Sequence, residues 1–578
     1  MKFLYGIIFE LRAKLSLKSK NGVYICAIIF GLLSALVALI FSQAVHLIQY
    51  ILMGETTHYI VDTFMGISPE RRIFSLVVGG VISGLILYFA YKKVKSRAIP
   101  YMESVAIGNG YIPFGATMLR SFSAIVSIAS GAAIGREGPL VQTAALAASR
   151  LGRFMHLSVP RLRLIIACSA AGALSAVFHT PLAGGIFVCE IVIGTMALDI
   201  LAPILISSCV SYFAISLIAD ASPVYEAADA YVTNKYLLYV LLLAVISSVS
   251  AKLWLVTLSK SRSLLSLIKL PLAVKIGFAG LIVGLIAISY PQIAGNGDHL
   301  IKSIVAKAIS IEDISILLCL KVFSVALFFA MGTIGGVLTP SLAIGSIVGF
   351  LFAHLLIYFG VPLSTAEIIG FSLLGMASFF TTAAAAPLTS LILVIEFTMA
   401  GRMIFPLIVG VLVSYAIAKL LHTDGMYKAE TGTLNNAFDK PLKDVRLMDI
   451  FRRSSDTVLA DTLFSKIAQK FLKNPEEAIY VVSRRNQYIG AILEVDILSF
   501  IKSKYVSNNV IADDIMQSNI PTLLPEMSLI DAIKVFTEHR NFNLLPIVDS
   551  NRKFYGTVSR SDIFMGFNEL VLREKLNG

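Results

Sequence analysis

Two glycine-rich stretches that end in proline contain the residues best suited to chemistry. Residues 135–139 read GREGP, with Arg136 and Glu137 between two glycines, and residues 335–340 read GGVLTP. Proline loses no hydrogen bond in the first turn of a helix, and glycine tolerates unusual backbone angles, so each stretch is typical of a helix start. Unpaired N–H groups at a helix start attract anions. The two stretches therefore predict a cradle for an anion such as chloride.

The composition indicates that most of the chain lies in a membrane. Of its 578 residues, 57% are hydrophobic and 15% are charged, and the mean hydropathy is +0.81. Soluble domains have about 25% charged residues. Some apolar runs reach the roughly 20 residues of a spanning helix. Others stop short, which is typical of broken helices around a binding site.

The charged and metal-ligating residues exclude several classes of function. The net charge is +12, and many basic residues lie in short connections such as 12–20 and 92–97, which predicts a cytoplasmic N-terminus. Basic residues do not gather on one soluble domain, which argues against a nucleic-acid partner. Neither the five cysteines nor the eight histidines have metal-ligand spacing, and HExxH and GxSxG motifs are absent. We therefore expect no metal, no required cofactor and no enzyme activity.

Glu137 has two interpretations in this setting. A carboxylate inside a membrane costs several kcal/mol unless it is paired or hydrated, and such residues are usually functional. In the first interpretation the carboxylate occupies the anion cradle and leaves when it is protonated or displaced. In the second, Glu137 forms a structural ion pair with Arg136 or another base. The residues alone leave both open.

The membrane region contains an internal repeat. Residues 172–190 resemble residues 375–396, and in each copy a glutamate follows a proline by nine residues, namely Glu190 after Pro181 and Glu396 after Pro387. Each copy lies downstream of one of the two glycine-rich breaks. Two related halves with broken helices are typical of transporters whose site lies between the halves.

Four motifs together resemble the CLC family of chloride channels and chloride/proton exchangers. They are GREGPLVQ at 135–142, TPLAGGIFVCE at 180–190, GGVLTP at 335–340 and AAPLTSLILVIE at 385–396. The resemblance covers roughly residues 20–430. It implies an all-α polytopic membrane protein and a homodimer with one anion pathway per subunit.

The resemblance also implies roles for individual residues. Glu137 is the gating glutamate, and the helix start that contains Arg136 and Gly138 faces the anion. Val337 and Leu338 offer backbone amides to the central anion. These implied roles agree with the anion cradle expected from the two glycine-rich breaks.

Tyr427 and Arg97 complete the implied anion site. Tyr427 matches the tyrosine whose hydroxyl faces the ion from inside, although an interfacial aromatic is the alternative. The family's Gly-Ser-Gly-Ile-Pro matches either 108–113 or 96–100, whose prolines precede Glu137 by 24 (137 − 113) and 37 (137 − 100) residues. The second spacing fits the family better and puts Arg97 where serine usually stands. Arg97 then adds positive potential at the inner mouth or extends to cytoplasmic water as a boundary residue.

Ile191 departs from the exchangers of this family. They carry two consecutive glutamates where this chain has Glu190 and Ile191, the second glutamate receiving protons from inside. Because isoleucine carries no proton, we favour a passive channel or a weakly coupled pathway. A chloride/proton exchanger with a non-standard proton route is the alternative. Glu190 itself is expected to be structural, because Glu396 is its partner in the repeat.

The chain changes character near residue 440 and then repeats a soluble α/β unit. Strands at 478–483 and 488–493 recur 66 residues later at 544–548 and 554–559, after amphipathic helices at 459–472 and 529–539. The tail is similar to the paired CBS domains of many CLC proteins.

That resemblance implies an adenine nucleotide (ATP, ADP or AMP) near Ser559 and Asp562, with Asp496 as the matching residue of the first copy. Leu493 stands where that copy would need a hydroxyl, so one site is expected rather than two. The alternative is that Asp562 only caps a helix.

The expected architecture is therefore a transmembrane domain at 1–435, a linker with the first CBS domain at 436–509, and the second at 510–578. We expect a bacterial inner membrane protein with a cytoplasmic tail. A CBS-regulated cation transporter is a remote alternative, because cation sites need converging carboxylates or carbonyls.

Overall fold

The computed structural model describes most of the chain. The described residues are 20–57, 59–93, 98–106, 108–155, 157–218, 224–306, 308–423, 425–427, 446–449, 457–473, 478–493, 496–497, 500, 510–539, 542, 544–559 and 562–563. Apart from 107–109 and 153–162, the helical region before residue 431 belongs to one compact unit, and the tail belongs to a second.

The first unit is built from helices. They are α1 Lys20–Met53, α2 Ile60–Gly66, α3 Pro69–Lys93, α4 Tyr101–Ala106, α5 Phe114–Ala129, α6 Glu137–Phe154, α7 Val159–Phe178, α8 Pro181–Phe187, α9 Leu198–Ser216, α10 Leu237–Ser266, α11 Leu272–Ile286, α12 Asp298–Val305, α13 Ile311–Ala330, α14 Leu338–Tyr358, α15 Thr365–Ala384, α16 Pro387–Thr398 and α17 Ile404–Leu420. Among the described residues, nine helices are long and apolar enough to cross a membrane. The expected polytopic α-helical architecture is confirmed.

Small polar side chains join the membrane helices to one another. Ser34 on α1 and Ser169 on α7 share a hydrogen bond of 2.8 Å, and Ser346 on α14 and Ser372 on α15 share one of 2.7 Å. Because apolar side chains gain little by leaving lipid for a helix interface, close packing and such hydrogen bonds contribute much of the association. These contacts hold α14, which begins at the second glycine-rich break, against α15.

The repeated segments have the same backbone path. In each half a long helix ends, one residue takes a left-handed conformation, and a shorter helix begins at a proline two residues later. The left-handed residues are His179 (φ 54°), before α8, and Ala385 (φ 57°), before α16. The two segments differ at the end, because α8 continues as a π-helix at Val188–Ile193 while α16 stays α-helical.

The second unit contains two strand pairs. The strands are β1 Thr457–Leu459, β2 Ala478–Val482, β3 Tyr488–Leu493, β4 Leu544–Val548 and β5 Phe554–Ser559, and the helices are α18 Phe464–Lys473, α19 Ala512–Ile515 and α20 Leu529–Glu538. The first sheet has the order β1-β2-β3, and β4 pairs with β5. The expected strands are confirmed. The helix expected from Leu459 begins instead at Phe464, because residues 457–459 pair with β2.

The 66-residue repeat of the tail is kept in its hydrogen-bond register. Val481 pairs with Gly490, and 66 residues later Ile547 pairs with Gly556. The hairpin turns meet, since Tyr488 N–H donates to the Arg552 carbonyl at 2.7 Å. One hydrophobic core contains residues of both copies, including Tyr488, whose pKa burial raises to about 12. The two copies therefore form one folding unit.

Candidate functional site

The two glycine-rich breaks lie side by side. Gly135 and Gly336 form an antiparallel bridge in which each N–H donates to the other's carbonyl at 2.8 Å. Helix α6 begins two residues after the first glycine, at Glu137, and α14 begins two residues after the second, at Leu338. Two helix starts therefore meet at one point, where their unpaired N–H groups form an anion-binding environment.

The side chain of Glu137 lies within this pair of helix starts. It is 4% exposed, and its Oε1 accepts the Leu338 N–H at 2.8 Å. Oε2 is buried and has no hydrogen-bond partner among the described residues. A buried carboxylate with one oxygen unsatisfied is held less firmly than a fully bonded one. The geometry therefore allows the carboxylate to be replaced by an anion or released after protonation.

The ion pair considered for Glu137 and Arg136 is not formed. Within the described part of the chain, Arg136 Nε has no hydrogen-bond partner, and the only hydrogen-bonded oxygen of Glu137 faces Leu338. Arg136 instead lines a pocket together with residues of α1 and of the start of α12.

The glycines of the bridge are required for space. Neither Gly135 nor Gly336 has a positive φ, so the unusual backbone angles expected from sequence are not the reason for glycine here. A Cβ atom on either residue would overlap the carboxylate of Glu137. Sequence reasoning missed this role, because it requires knowing that the carboxylate folds back over the bridge.

Gln142 anchors the segment around Pro100 to α6. Its Oε1 accepts the Tyr101 N–H at 2.8 Å, and its Nε2 donates to the Ile99 carbonyl at 3.0 Å. The competing stretch is held farther along α6, where Ser149 Oγ donates to the Gly110 carbonyl at 2.6 Å. At 1.5 Å per residue, these anchors are about 7.5 Å and about 18 Å from Glu137 along the helix.

The stretch that ends at Pro100 is therefore anchored nearer to Glu137, as its spacing suggested. Arg97 itself lies outside the described residues. Tyr427 lies inside them, and its ring meets that of Phe187, the last residue of α8, edge to face at 5.4 Å between centroids.

Glu190 and Glu396 cap each other's half-helix. Glu190, in the π-helix, accepts from Thr389 N–H at 2.7 Å and Leu388 N–H at 3.1 Å, at the start of α16. Glu396, on α16, accepts from Ala183 N–H at 2.8 Å and Leu182 N–H at 2.9 Å, at the start of α8.

The two halves are therefore related by an approximate two-fold symmetry, because each half provides a glutamate that caps a helix of the other half. The Glu190 carboxylate is occupied by its contacts with α16. That agrees with the structural role expected for it.

Comparison with known proteins identifies the family. A family model described as voltage gated chloride channel matches residues 78–419, which is more than half of the chain. The chain belongs to the CLC family. It performs CLC-type chloride transport and is a multi-pass membrane protein. A CBS domain model matches residues 512–568.

Similar proteins come from several bacteria. A voltage-gated ClC-type chloride channel, ClcB, of Escherichia coli is 30% identical over 414 residues, covering 70% of this chain and 97% of that protein. A ClcB-like chloride channel protein of Ralstonia nicotianae is 29% identical over 408 residues, covering 69% and 94%. The CLC part of the chain therefore matches nearly the whole length of these relatives.

Solved structures share the fold. A slow cyanobacterial Cl⁻/H⁺ antiporter has a TM-score of 0.62 at 20% identity, covering 72% of this chain and 98% of its own. A eukaryotic CLC transporter also has a TM-score of 0.62, at 16% identity, covering 93% and 97%. At these identities the likeness establishes the CLC fold.

In the CBS tail, the two aspartates that were expected near a nucleotide form hydrogen bonds with nearby residues of the tail. Asp562 Oδ2 accepts from Ser559 Oγ at 2.7 Å and from Ser559 N–H at 2.9 Å. Asp496 Oδ2 accepts from Leu493 N–H at 3.2 Å, and Gln517 Nε2 donates to it at 2.9 Å. Gln517 thus replaces the hydroxyl that the first copy lacks. The cap considered for Asp562 is instead formed by Ser559, whose Oγ accepts the Asp562 N–H at 3.0 Å, while the Asp562 carboxylate bonds back to Ser559.

We predict that the Glu190 carboxylate acts as a helix cap in this CLC protein. Glu190→Gln keeps one acceptor for the start of α16 but turns an amide NH₂ toward the other N–H, so it should destabilise the protein less than Glu190→Ala does. Glu190→Ala removes the cap and should destabilise by about 0.5–2 kcal/mol. The melting temperature of each variant is measured by heating the purified protein and quantifying the folded fraction that remains by size-exclusion chromatography. Glu396→Gln and Glu396→Ala are the matched pair in the other half, and equal stability of the Gln and Ala variants would contradict a capping role.

Proposed function

We propose that this CLC protein conducts chloride or similar small anions through a pathway that Glu137 gates. The observation that carries the proposal is the Glu137 carboxylate on the Leu338 amide, between two helix starts. An anion in that position would accept N–H groups from the same backbone, including Val337, Leu338, Arg136 and Gly138. The carboxylate and the anion therefore compete for one set of N–H donors. Protonation of Glu137 weakens its hydrogen bonds to these donors, because a neutral acid is a poorer acceptor than a carboxylate.

Passive or weakly coupled conduction is the mode we favour. Ile191 cannot carry a proton, and the Glu190 carboxylate beside it accepts two backbone N–H groups and the Thr389 hydroxyl of α16. Proton exchange at Glu190 would leave that helix start with weakened acceptors. The second candidate is chloride/proton exchange, because two structures with the same fold are described as Cl⁻/H⁺ and fluoride/proton antiporters.

The remaining features of the proposal follow from the family. We propose a homodimer with one pathway per subunit, in a bacterial inner membrane, with the N-terminus and the CBS tail in the cytoplasm and no enzyme activity. Tyr427 and Arg97 belong to the inner side of the pathway. The segment before residue 436 transports the anion, and 436–509 and 510–578 regulate it through one adenine-nucleotide site.

Flux from liposomes tests the gate and the mode of transport together. With an outward chloride gradient, the purified protein should release chloride without driving protons uphill, and flux should rise as the pH falls. Glu137→Gln should remove the pH dependence, since a neutral side chain stands in for the protonated gate. Chloride and pH electrodes record both ions at once.

The control is Glu367→Gln, because Glu367 is also 4% exposed and also lies at a helix start, in the capping box of α15. This variant should keep the pH dependence of the wild-type protein. Uphill proton movement in the wild-type protein would favour the exchanger, and an unchanged pH dependence in Glu137→Gln would remove Glu137 from the gate.

We also predict that Gly336→Ala opens the gate. The added methyl group occupies the volume of the carboxylate, so flux near neutral pH should rise toward that of Glu137→Gln. In a Glu137→Ala background the same substitution should add little, because no carboxylate remains to be displaced. Gly401→Ala is the control, since a Cβ atom there meets open space. If Gly336→Ala raised flux equally in the wild-type protein and in Glu137→Ala, the methyl group would not act by displacing the Glu137 carboxylate.

For the tail, we expect one adenine nucleotide to bind per chain. Losing a hydrogen bond to a charged phosphate costs about 1.5–3 kcal/mol, so Ser559→Ala should weaken binding by about tenfold or more. Titration calorimetry of the full-length protein with ATP, ADP and AMP measures this. Ser483→Ala, in the hairpin turn of the first copy, should bind like the wild-type protein. If none of the three nucleotides releases or absorbs heat, the CBS tail has no such site.

A further inference from the structure

A pocket with several polar and charged side chains in a largely apolar lining opens at Arg136, the residue before Glu137. It is lined by parts of α1, the segment before α2, the first glycine-rich break and the start of α12. Its polar lining residues are Ser42, His46, Gln49, Tyr59, Arg136, Asn296, Asp298 and His299. Because α1 runs outward from the proposed cytoplasmic N-terminus, its last turns, and so this pocket, lie on the outer side. None of the roles proposed above uses these histidines.

The histidines lie among groups of both charge signs. His299 Nε2 is 3.6 Å from Asp62 Oδ1, and its Nδ1 is 3.3 Å from Ser303 Oγ. Burial lowers the pKa of the His299 imidazole, Asp62 raises it, and Lys302 on α12 and Lys321 on α13 lower it further. Arg136 lines the same pocket as His46.

Asp298 completes the lining. It accepts from the Tyr225 hydroxyl at 3.0 Å and from Asn296 Nδ2 at 2.6 Å. Lys321 holds the loop before Asp298 by donating to the carbonyls of Ile293 and Gly295 at 2.9 and 2.7 Å.

This mixture of charges suits protons better than anions. A carboxylate in the lining repels an anion, whereas a proton can pass between groups of either sign. Histidine is the side chain whose ordinary titration range includes neutral pH. A pocket of about 70 Å³ with several polar groups on its wall has room and partners for water that can link such groups.

We propose that this pocket carries protons between the outer solution and Glu137, with His46 and His299 as the exchanging groups. A hydronium ion gives its proton to a ring nitrogen and leaves as water. The ring then passes a proton on through water to a carboxylate oxygen of Glu137 and returns to its neutral form. The proposal rests on the gating role of Glu137. It adds a route by which external acid reaches that residue.

A relay changes the speed of the response and leaves its equilibrium alone. In excised patches containing the full-length protein, the outer pH is stepped from about 7.5 to about 5.5, across the range in which histidine titrates. The His46→Gln, His299→Gln double variant should approach its new current about tenfold more slowly than the wild-type protein, a modest effect for lost acid–base groups. The final current should be the same, and steps on the inner side should be unaffected.

Imidazole in the outer solution should restore the speed of the double variant, which a structural defect would not allow. If the double variant does not fold, each single variant should also respond to the outer pH step more slowly than the wild-type protein, by a smaller factor. His354→Gln is the matched control, because His354 lies 16 residues beyond Leu338 on α14, about 24 Å along the helix.

Wild-type speed in the double variant overturns the relay. So does a shifted pH midpoint at unchanged speed, because that result means the histidines act only through their charge. If Glu137→Gln still responds to the step, the gating proposal has failed instead.

Discussion

The burial of one carboxylate between two helix starts is the interaction on which the rest of the membrane unit depends. Glu137 has left water, and the backbone amide of Leu338 satisfies one of its oxygens. The contact exists only because Gly135 and Gly336 pair through their backbones and leave no side chain in the way. The gating proposal rests on this arrangement, because a chloride ion would need the same backbone donors.

Holding two helix starts together requires that both halves be placed accurately. The reciprocal caps do this at a second point, where Glu190 closes the start of α16 and Glu396 closes the start of α8. Each glutamate satisfies N–H groups that lipid could not satisfy. The same contacts explain why a glutamate can be kept at position 190 for its geometry while its neighbour is Ile191. The two glutamates that the repeat shares therefore serve packing between the halves, whereas Glu137 lies at a different helix start.

The tail also consists of two copies of one unit, and the copies differ in one hydrogen-bond donor. Both CBS copies bind their aspartate back to the residue three positions earlier, at Asp562 and at Asp496. In the second copy the Ser559 hydroxyl also donates to the aspartate, and in the first copy the side chain of Gln517 donates instead. The shared core between the hairpins makes the pair a single packed unit.

The order of residues alone determined the elements and most of the chemistry. Hydropathy set the membrane region, the glycine-proline breaks predicted the helix starts, and the 66-residue repeat predicted the strands, because these signals are local or periodic. Spacing was also sufficient to prefer residues 96–100 over 108–113 near the gate. Only the tertiary structure decided which donor the carboxylate of Glu137 meets, and why glycine is needed at 135 and 336. The same holds for the exchange of caps between Glu190 and Glu396 and for the pocket of His46 and His299. Each of these joins residues far apart in the chain, and the contact that gives them meaning appears only when the halves are packed.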